Sequence, residues 1–569
     1  MIPNYLAPTE LAVTPTSIRR VLLLGNCMLN PWVDYLAAEH PEIEVRHSIF
    51  DYAEAVTSDG QDYDLRLVQL PLRTLYPEIA VMQNRYDDLD GYDRALRRAY
   101  HWIRALIGLI RSQSADCPTF FLNFLYPQQS QRLNRMLHDQ VAEFKGGHVL
   151  DIEQVAATFG RHLVQDDAFW VFSHAGTISD YDFEQDVDRL EPEAPLSERY
   201  PRDITGFVRA AWGEAVAMLR TLQGTDRVKM ICVDLDDTLW RGVLADAEDF
   251  DHHATEGAPL GFAEALMICR QRGIILAIVS KNDEARAAEI LERIFQGRVR
   301  LDDFAIRKIN WDPKPQNVAT AIREANVLPE SVVYIDDNPV ERAAVKALLP
   351  DVRMLGAPHL DWRRILLWSP ETQVAEITSE SANRSDMVRA QVEREQDREG
   401  MTYADFLVEL DLNVELGSIT STADPQFARA LELVNKTNQF NTIGERWTEG
   451  QAASFLAGGG RWWGFRVRDR YTAYGLVGVL IQKASRIEQF VMSCRVFGLQ
   501  VERAVLAALR ELEPDIAEAR LIETPKNGPC RDVYAQAGWT RDGEIWIAGP
   551  AQPPPAHVTV GVPERVTRG

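Results

Sequence analysis

The chain has no C-x-x-C pair. Its six cysteines, at positions 27, 117, 232, 269, 494 and 530 of 569 residues, lie far apart. Zinc sites and small disulfide frameworks need closer spacings, so neither is expected. The thiols read as free, in a reducing cytoplasm. Positive charge is also in short supply: 61 Lys and Arg against 84 Asp and Glu leave a formal net charge of −23. That excludes nonspecific binding to nucleic acid or to an anionic membrane surface, both of which take basic faces. It leaves room for a small phosphorylated substrate in a local basic pocket. No apolar run approaches the ~18 residues that span a bilayer. The opening MIPNYLAPTELAVTPTSIRR has no basic region followed by an apolar segment, so a soluble cytoplasmic protein without a membrane partner is expected. What is present is ordinary globular material, 46% hydrophobic and 25% charged, enough for several domains.

The middle of the chain carries the clearest chemistry. Met230-Ile231-Cys232-Val233 is an apolar run of strand length that empties into Asp234-Leu235-Asp236-Asp237-Thr238. Unpaired buried charge is costly, so carboxylates crowded at a strand end call for a cation. Three further segments follow: Ile274–Val279 running into Ser280-Lys281-Asn282, then Asn310-Trp311-Asp312-Pro313-Lys314, then Val332–Ile335 ending in Asp336-Asp337-Asn338. The intervening lengths suit crossover helices, which gives a doubly wound parallel sheet with its site along one edge. The residue types fit phosphoryl transfer. Asp234 would attack phosphorus, and Asp236 would protonate the leaving oxygen and later activate water. Ser280 and Lys314 would hold phosphoryl oxygens, with Thr238, Lys281 and Asn282 beside them. Asp336 and Asp337, together with Asp234 and the backbone carbonyl of Asp236, would hold Mg²⁺. In order, the four segments resemble the HAD superfamily of phosphatases. Only a short polar stretch separates Gly242 from the next helix, which leaves no room for a large cap. His252 and His253 within it read as solvated loop residues rather than metal ligands.

The N-terminal third, residues 19–223 after an N-terminal tail of 1–18, alternates strands and helices. Arg20–Leu24, Leu65–Leu70 and Thr119–Phe124 read as strands, and Pro31–Glu39, Leu89–Ser112 and Ile204–Leu222 as helices. That pattern is a parallel α/β layer domain. It resembles an SGNH-hydrolase-like domain, with Gly25-Asn26-Cys27 where the serine nucleophile would stand and His174 as the nearest partner. A degenerate docking or scaffolding domain is the expected reading, and a Cys27–His174 hydrolase the alternative. The HAD-like domain is expected over residues 224–375, a helical connector over 376–400, and a further domain over 401–548. In the last, strands at Trp462–Asp469, Gly475–Gln482 and Ile487–Val496 precede a helix at Val501–Leu512. Antiparallel strands, the turn Arg495-Val496-Phe497-Gly498 and a final Lys526-Asn527…Tyr534…Gly538-Trp539 resemble the GNAT acyltransferase fold. Cys494 would then stand where a thioester arm enters, and Arg495 could lower its pKa. Core filling by Cys494 is the other reading. Gln500 stands where a second glycine would let backbone amides cradle a pyrophosphate. The tail over 549–569, with Pro553-Pro554-Pro555, is expected to be disordered.

CVDLDDTLWRGVL, VSKN, INWDPKPQN, YIDDNPVERAAV, NKTNQFN, MSCRVFG and PKNGPCRDVYAQAGW, in this order, resemble the FkbH-like family (HAD subfamily IIIC). The resemblance implies an α/β multidomain enzyme that takes a glyceryl unit from 1,3-bisphosphoglycerate and dephosphorylates it. It then loads the unit onto the phosphopantetheine arm of an acyl carrier protein. On that reading Asp234 and Asp236 serve the phosphatase step and Cys494 the thioester step. Cys232, inside the strand, is the competing thiol. Lys436, Asn438, Gln439 and Asn527 are candidate substrate contacts. Two other functions remain open: an Mg²⁺-dependent phosphatase whose last domain only covers the site, and a noncatalytic assembly scaffold.

Overall fold

The computed structural model describes residues 6–26, 29–49, 62–70, 89–112, 117–125, 130–144, 146–164, 188, 190–191, 203–244, 251–356, 358–377, 384–398, 401–525 and 527–561. Cys27, His174 and most of the acidic stretch before residue 203 fall outside them. Over the described residues the protein is a mixed α/β multidomain chain built on three sheets.

The first sheet is parallel throughout, in the order β2-β1-β3-β4-β5, from β1 (Arg20–Gly25), β2 (Glu44–Ile49), β3 (Leu65–Gln69), β4 (Thr119–Leu122) and β5 (Gly147–Leu150). β2 and β5 are additions to the expected strands; their polar residues and short length hide them in the sequence. The second sheet is also parallel, in the order β10-β9-β6-β7-β8. Its strands are β6 (Met230–Val233), β7 (Ile275–Ser280), β8 (Ile306–Ile309), β9 (Val332–Ile335) and β10 (Arg353–Leu355). Every residue of β6, β7 and β9 is buried. Helices cover both faces, which is why these strands are continuous apolar runs rather than alternating ones.

Two segments differ from expectation. Residues 6–18 are not a free tail. Leu11 is buried in the core of the second sheet, Arg353 Nη1 donates to its carbonyl at 3.0 Å, and Asp226 accepts from the Val13 and Thr14 amides at 2.9 and 2.6 Å. The same Asp226 pairs at 2.7 Å with Arg220, near the end of helix Ile204–Gln223. Arg220 also meets the fully buried Glu371 at 3.0 Å. These bonds fasten the first domain to the second.

The third sheet has eight strands in the order β16-β17-β15-β14-β13-β12-β11-β18. They are β11 (Leu412–Ile419), β12 (Arg461–Arg468), β13 (Ala473–Lys483), β14 (Arg486–Met492), β15 (Glu518–Arg520), β16 (Thr540–Asp542), β17 (Ile545–Ile547) and β18 (Val558–Gly561). β18 is the second difference. The tail expected to be disordered returns after its prolines and pairs in parallel with β11. The β-branched Val558-Thr559-Val560 suits a strand, and β11 would otherwise present an open edge.

The connector is helical over Arg384–Arg398. Val388 packs into the core of the second sheet. Further along, the buried Arg394 meets Asp469 at 3.7 Å and lies 5.4 Å from the Tyr474 ring centroid. The helix is thus held by the domains on both sides of it.

Candidate active site

The C-terminal ends of β6, β7 and β9 and the start of helix Lys314–Ala325 bring one polar cluster together. Lys314 is buried with its ammonium 2.9 Å from Asp234 Oδ2 and 2.7 Å from Asp336 Oδ2. Ser280 bonds Asp234, and Asn282 Nδ2 donates to Ser280 Oγ at 3.1 Å and to Asp236 Oδ2 at 3.1 Å. Asp236 is aimed from its other oxygen, which accepts from Trp240 Nε1 at 3.0 Å and from the Leu244 amide at 3.1 Å. The Thr238 hydroxyl accepts the Asp337 amide at 3.0 Å and so ties the first motif to the last. Between the first two carboxylates and the following helix the chain reverses tightly. Asp237 takes a left-handed φ of 50°, Gly242 one of 92°, and the Asp237 carboxylate accepts the Gly242 amide at 2.7 Å. A non-glycine residue in that region carries strain, a feature that collects at functional sites.

Electrostatically the cluster is short of positive charge, three carboxylates facing one ammonium. Oxygens of Asp234, Asp336 and Asp337 all lie within 4.8 Å of one another, with Lys314 set against two of the three. Burial pushes Asp234 up to about 6; Lys314 opposes the shift and Asp336 adds to it. Asp337 is raised too, by burial and then by Asp336 and Asp237. Lys314 is held charged by Asp234 and Asp336, which outweigh the opposing effect of burial. Asp234 Oδ1 is buried without a hydrogen-bond partner. An orphaned carboxylate oxygen beside two more is the donor set that a hard divalent cation takes.

Three contributors hid inside apolar or trailing stretches of the sequence. Tyr334, within β9, donates its hydroxyl to Asp336 Oδ2 at 2.5 Å. Trp240 orients Asp236, as described above. Arg342, one turn into helix Pro339–Leu348, donates to the Asp336 and Asp337 carbonyls at 2.5 and 2.7 Å. In each case only the position near a motif could have pointed to them.

Other expected residues lie elsewhere. Lys281 turns out to Glu341, 2.7 Å away, and both leave the carboxylate cluster to Lys314. His252 and His253 are exposed and open the 3₁₀ turn His252–Thr255, where ring nitrogens of both and a carboxylate oxygen of Asp251 lie within 4.8 Å of one another. In the third domain Lys436 is exposed and paired with Glu432 at 2.7 Å, Asn438 accepts from Arg446, and Gln439 is exposed. Asn527 is fully buried and works as a clamp: it accepts the Thr524 amide at 2.8 Å and donates to the Asn441 and Ile522 carbonyls at 3.0 and 2.9 Å. It is therefore a fold residue. β14 ends at Met492, and Cys494 falls in the short 3₁₀ turn Cys494–Val496 rather than on the strand. Arg495 donates to Ser493 Oγ at 3.1 Å and to Met387 Sδ at 3.2 Å.

The expected thioester slot is also different. β14 and β15 pair in parallel only at Arg486 and Ile487 and then part. The gap holds the chain's own Phe440–Ile443. The Met492 amide donates to the Phe440 carbonyl at 3.0 Å, the Thr442 amide to the Phe490 carbonyl at 3.1 Å, and the Ile522 amide to the Thr442 carbonyl at 2.8 Å. A strand-like insert thus satisfies the backbone that an arm lying there would use.

Residues 255–348 match the haloacid dehalogenase-like hydrolase family. The chain therefore contains a HAD-like hydrolase domain. The matched region begins after β6 and takes in Ser280, Lys314, Asp336 and Asp337. No curated protein matches the chain. Among solved structures the HAD-containing chain is similar to the N-terminal part of a Bacteroides fragilis protein containing a phosphatase domain, complexed with Mg. That likeness is 19% identical, covers 65% of this chain and 98% of the other, and has a TM-score of 0.44. A second likeness is to 3-deoxy-D-manno-octulosonate 8-phosphate phosphatase from Moraxella catarrhalis, in complex with magnesium ion, phosphate ion and KDO. It is 19% identical over 22% of this chain and 66% of the other, with a TM-score of 0.15.

Proposed function

We propose that the HAD-like domain is an Mg²⁺-dependent phosphatase and that it forms one half of a two-step enzyme, which transfers a glyceryl unit from 1,3-bisphosphoglycerate to an acyl carrier protein. The observation that carries the phosphatase half is Lys314 set between Asp234 and Asp336, with the unpartnered Asp234 Oδ1 beside them. Asp234 would attack phosphorus and form an aspartyl-phosphate as the ester P–O bond breaks. Asp236, already oriented by Trp240 and the Leu244 amide, would give its proton to the leaving oxygen and then take one from the attacking water. Ser280 and Lys314 would hold phosphoryl oxygens. Asp234, Asp336 and Asp337 would hold Mg²⁺, which when bound offsets phosphoryl charge.

For the acyl half, the Cys494 thiolate would attack the acyl-phosphate carbonyl. A C–S bond forms as the C–O bond to phosphate breaks, and the pantetheine thiol of the carrier then takes the acyl group and returns Cys494 to the thiolate. The thiols that the structure describes are poor competitors by their surroundings. Burial pushes Cys232 and Cys269 up to about 12, and Cys117 and Cys530 up to about 11, so each stays protonated. Intact-mass measurement after exposure to the acyl phosphate should show an acyl adduct that Cys494→Ala abolishes. An adduct of the same size on that variant removes Cys494 from the account.

One observation favours a second reading, a phosphatase of free esters without acyl transfer. Phe440–Ile443 fills the gap between β14 and β15 where a thioester arm would lie. Release of phosphate from small esters with no adduct and no loaded carrier is the result that reading expects.

A further inference from the structure

The turn just ahead of helix Ala258–Gln271 gathers a second set of metal-binding groups. Ring nitrogens of His252 and His253 and a carboxylate oxygen of Asp251 lie within 4.8 Å of one another. Glu256 adds a fourth group: one of its oxygens is 3.0 Å from His253 Nδ1 and 4.0 Å from His252 Nε2. Donors about 2.0–2.1 Å from a tetrahedral zinc stand roughly 3.3 Å from one another, and the two observed separations bracket that edge. The imidazoles also converge, with ring centroids 4.1 Å apart, although both are exposed. Adjacent residues of a helical turn do not ordinarily face each other, so the convergence belongs to this turn in particular. The backbone beneath is fixed. Thr255 is buried and donates its hydroxyl to the His252 carbonyl at 2.9 Å. Asp251 accepts the His253 amide at 2.9 Å through one oxygen and has a second to give. Ala254 packs against the core of the second sheet, and its carbonyl accepts the Arg241 amide at 2.9 Å. Arg241 follows Trp240, whose indole aims Asp236. The set is therefore fastened to the loop that carries the first motif.

We propose that Asp251, His252, His253 and Glu256 form a zinc site, separate from the carboxylate cluster and outside the phosphoryl chemistry. Donor type divides the two centres. Imidazole with carboxylate suits Zn²⁺, and oxygen alone suits Mg²⁺, so each ion has its own place. The charges agree: two carboxylates beside two neutral imidazoles carry two negative charges, which a single Zn²⁺ cancels. All four ligands fall between Asp251 and Glu256, and they converge only because the chain winds there into a 3₁₀ turn. Read as letters, the same residues are a polar loop. The bound ion braces the turn and, through the bond between Arg241 and Ala254, the segment that carries Trp240. The site stands whichever of the two functional readings holds.

Equilibrium dialysis of the full chain against micromolar Zn²⁺ in excess Mg²⁺, with bound metal counted by mass spectrometry, tests this. The wild type should retain a single zinc per chain, and so should Asp234→Asn, which alters only the carboxylate cluster. The double variant His252→Ala, His253→Ala should retain none, and its melting temperature should no longer rise when Zn²⁺ is added. If that variant fails to fold, His253→Gln should still lose the zinc. Co²⁺ in place of zinc reads the geometry: the wild type should show the intense visible bands of a tetrahedral ion, and the double variant should not. Zinc retained in full by the histidine variants, or none retained by the wild type, overturns the inference. Loss of zinc from Asp234→Asn would move the ion to the carboxylate cluster, and a cobalt–thiolate charge-transfer band would move it to a cysteine; either result overturns it as well.

Discussion

Asp234→Asn should lower phosphate release from an ester substrate on the order of 10⁴-fold or more, the scale on which a lost nucleophile acts, and should not lower stability. The two effects separate because the side chain is nearly isosteric but uncharged. Asp234 is buried, its carboxyl is pushed up to about 6 by that burial, and Oδ1 has no partner. An uncharged group there relieves repulsion from Asp336 while keeping the shape of the site. Sites that hold unfavourable charge for chemistry commonly gain stability when the charge is removed. Steady-state phosphate release and urea denaturation on the same preparation read both halves. A variant that loses activity and stability together would mean Asp234 is a structural ion-pair member first.

Lys314→Met should have the opposite balance and lose both. Removing one member of a buried ionic group strands the others at a cost of about 3–5 kcal/mol. Here it leaves Asp234 and Asp336 facing each other without the ammonium 2.9 and 2.7 Å away. The pH dependence identifies the cause. Asp234 already has a folded-state pKa raised to about 6, and loss of Lys314 raises it further. A carboxyl raised in the folded state binds its proton more tightly there than in the unfolded chain. Its penalty is therefore full above the folded pKa and fades as pH falls through that value towards the unfolded one. The deficit of Lys314→Met should be large at pH 7.5, much smaller near pH 5, and partly relieved by Mg²⁺ at the higher pH. A deficit of the same size at both pH values would place the damage in packing rather than in charge.

The parallel sheet and its polar edge were legible because such sheets set their ligands at strand ends. An apolar run that stops at Asp234 or at Asp336 therefore gives both the strand and the site. Neighbouring residues on the way out of a strand point in different directions, which is why Ser280 and Asn282 reach the cluster and Lys281 pairs with Glu341 instead. Tyr334 and Trp240 were hidden by their own bulk: as letters they extend an apolar run, and only their polar tips matter to Asp336 and Asp236. Asn527 misled in the other direction, since a buried amide that closes a loop by three backbone bonds has no signature apart from its surroundings. The insertion of Phe440–Ile443 between β14 and β15, the docking of Leu11 and the strand β18 all depend on partners hundreds or tens of residues away. No local pattern announces such pairings.

The central claim is that one chain removes phosphate with its carboxylates and moves an acyl group with a thiol. The most direct measurement counts inorganic phosphate released per glyceryl unit loaded onto the carrier protein, in a single reaction with 1,3-bisphosphoglycerate and Mg²⁺. The balance of the two steps requires two phosphates per loaded unit, one from the acyl phosphate and one from the ester. With Asp234→Asn it should fall to a single phosphate per unit, and the loaded carrier should keep its phosphate mass. Glyceryl loading by Asp234→Asn at the native ratio, or phosphate release by the native enzyme with no loaded carrier, would contradict the account.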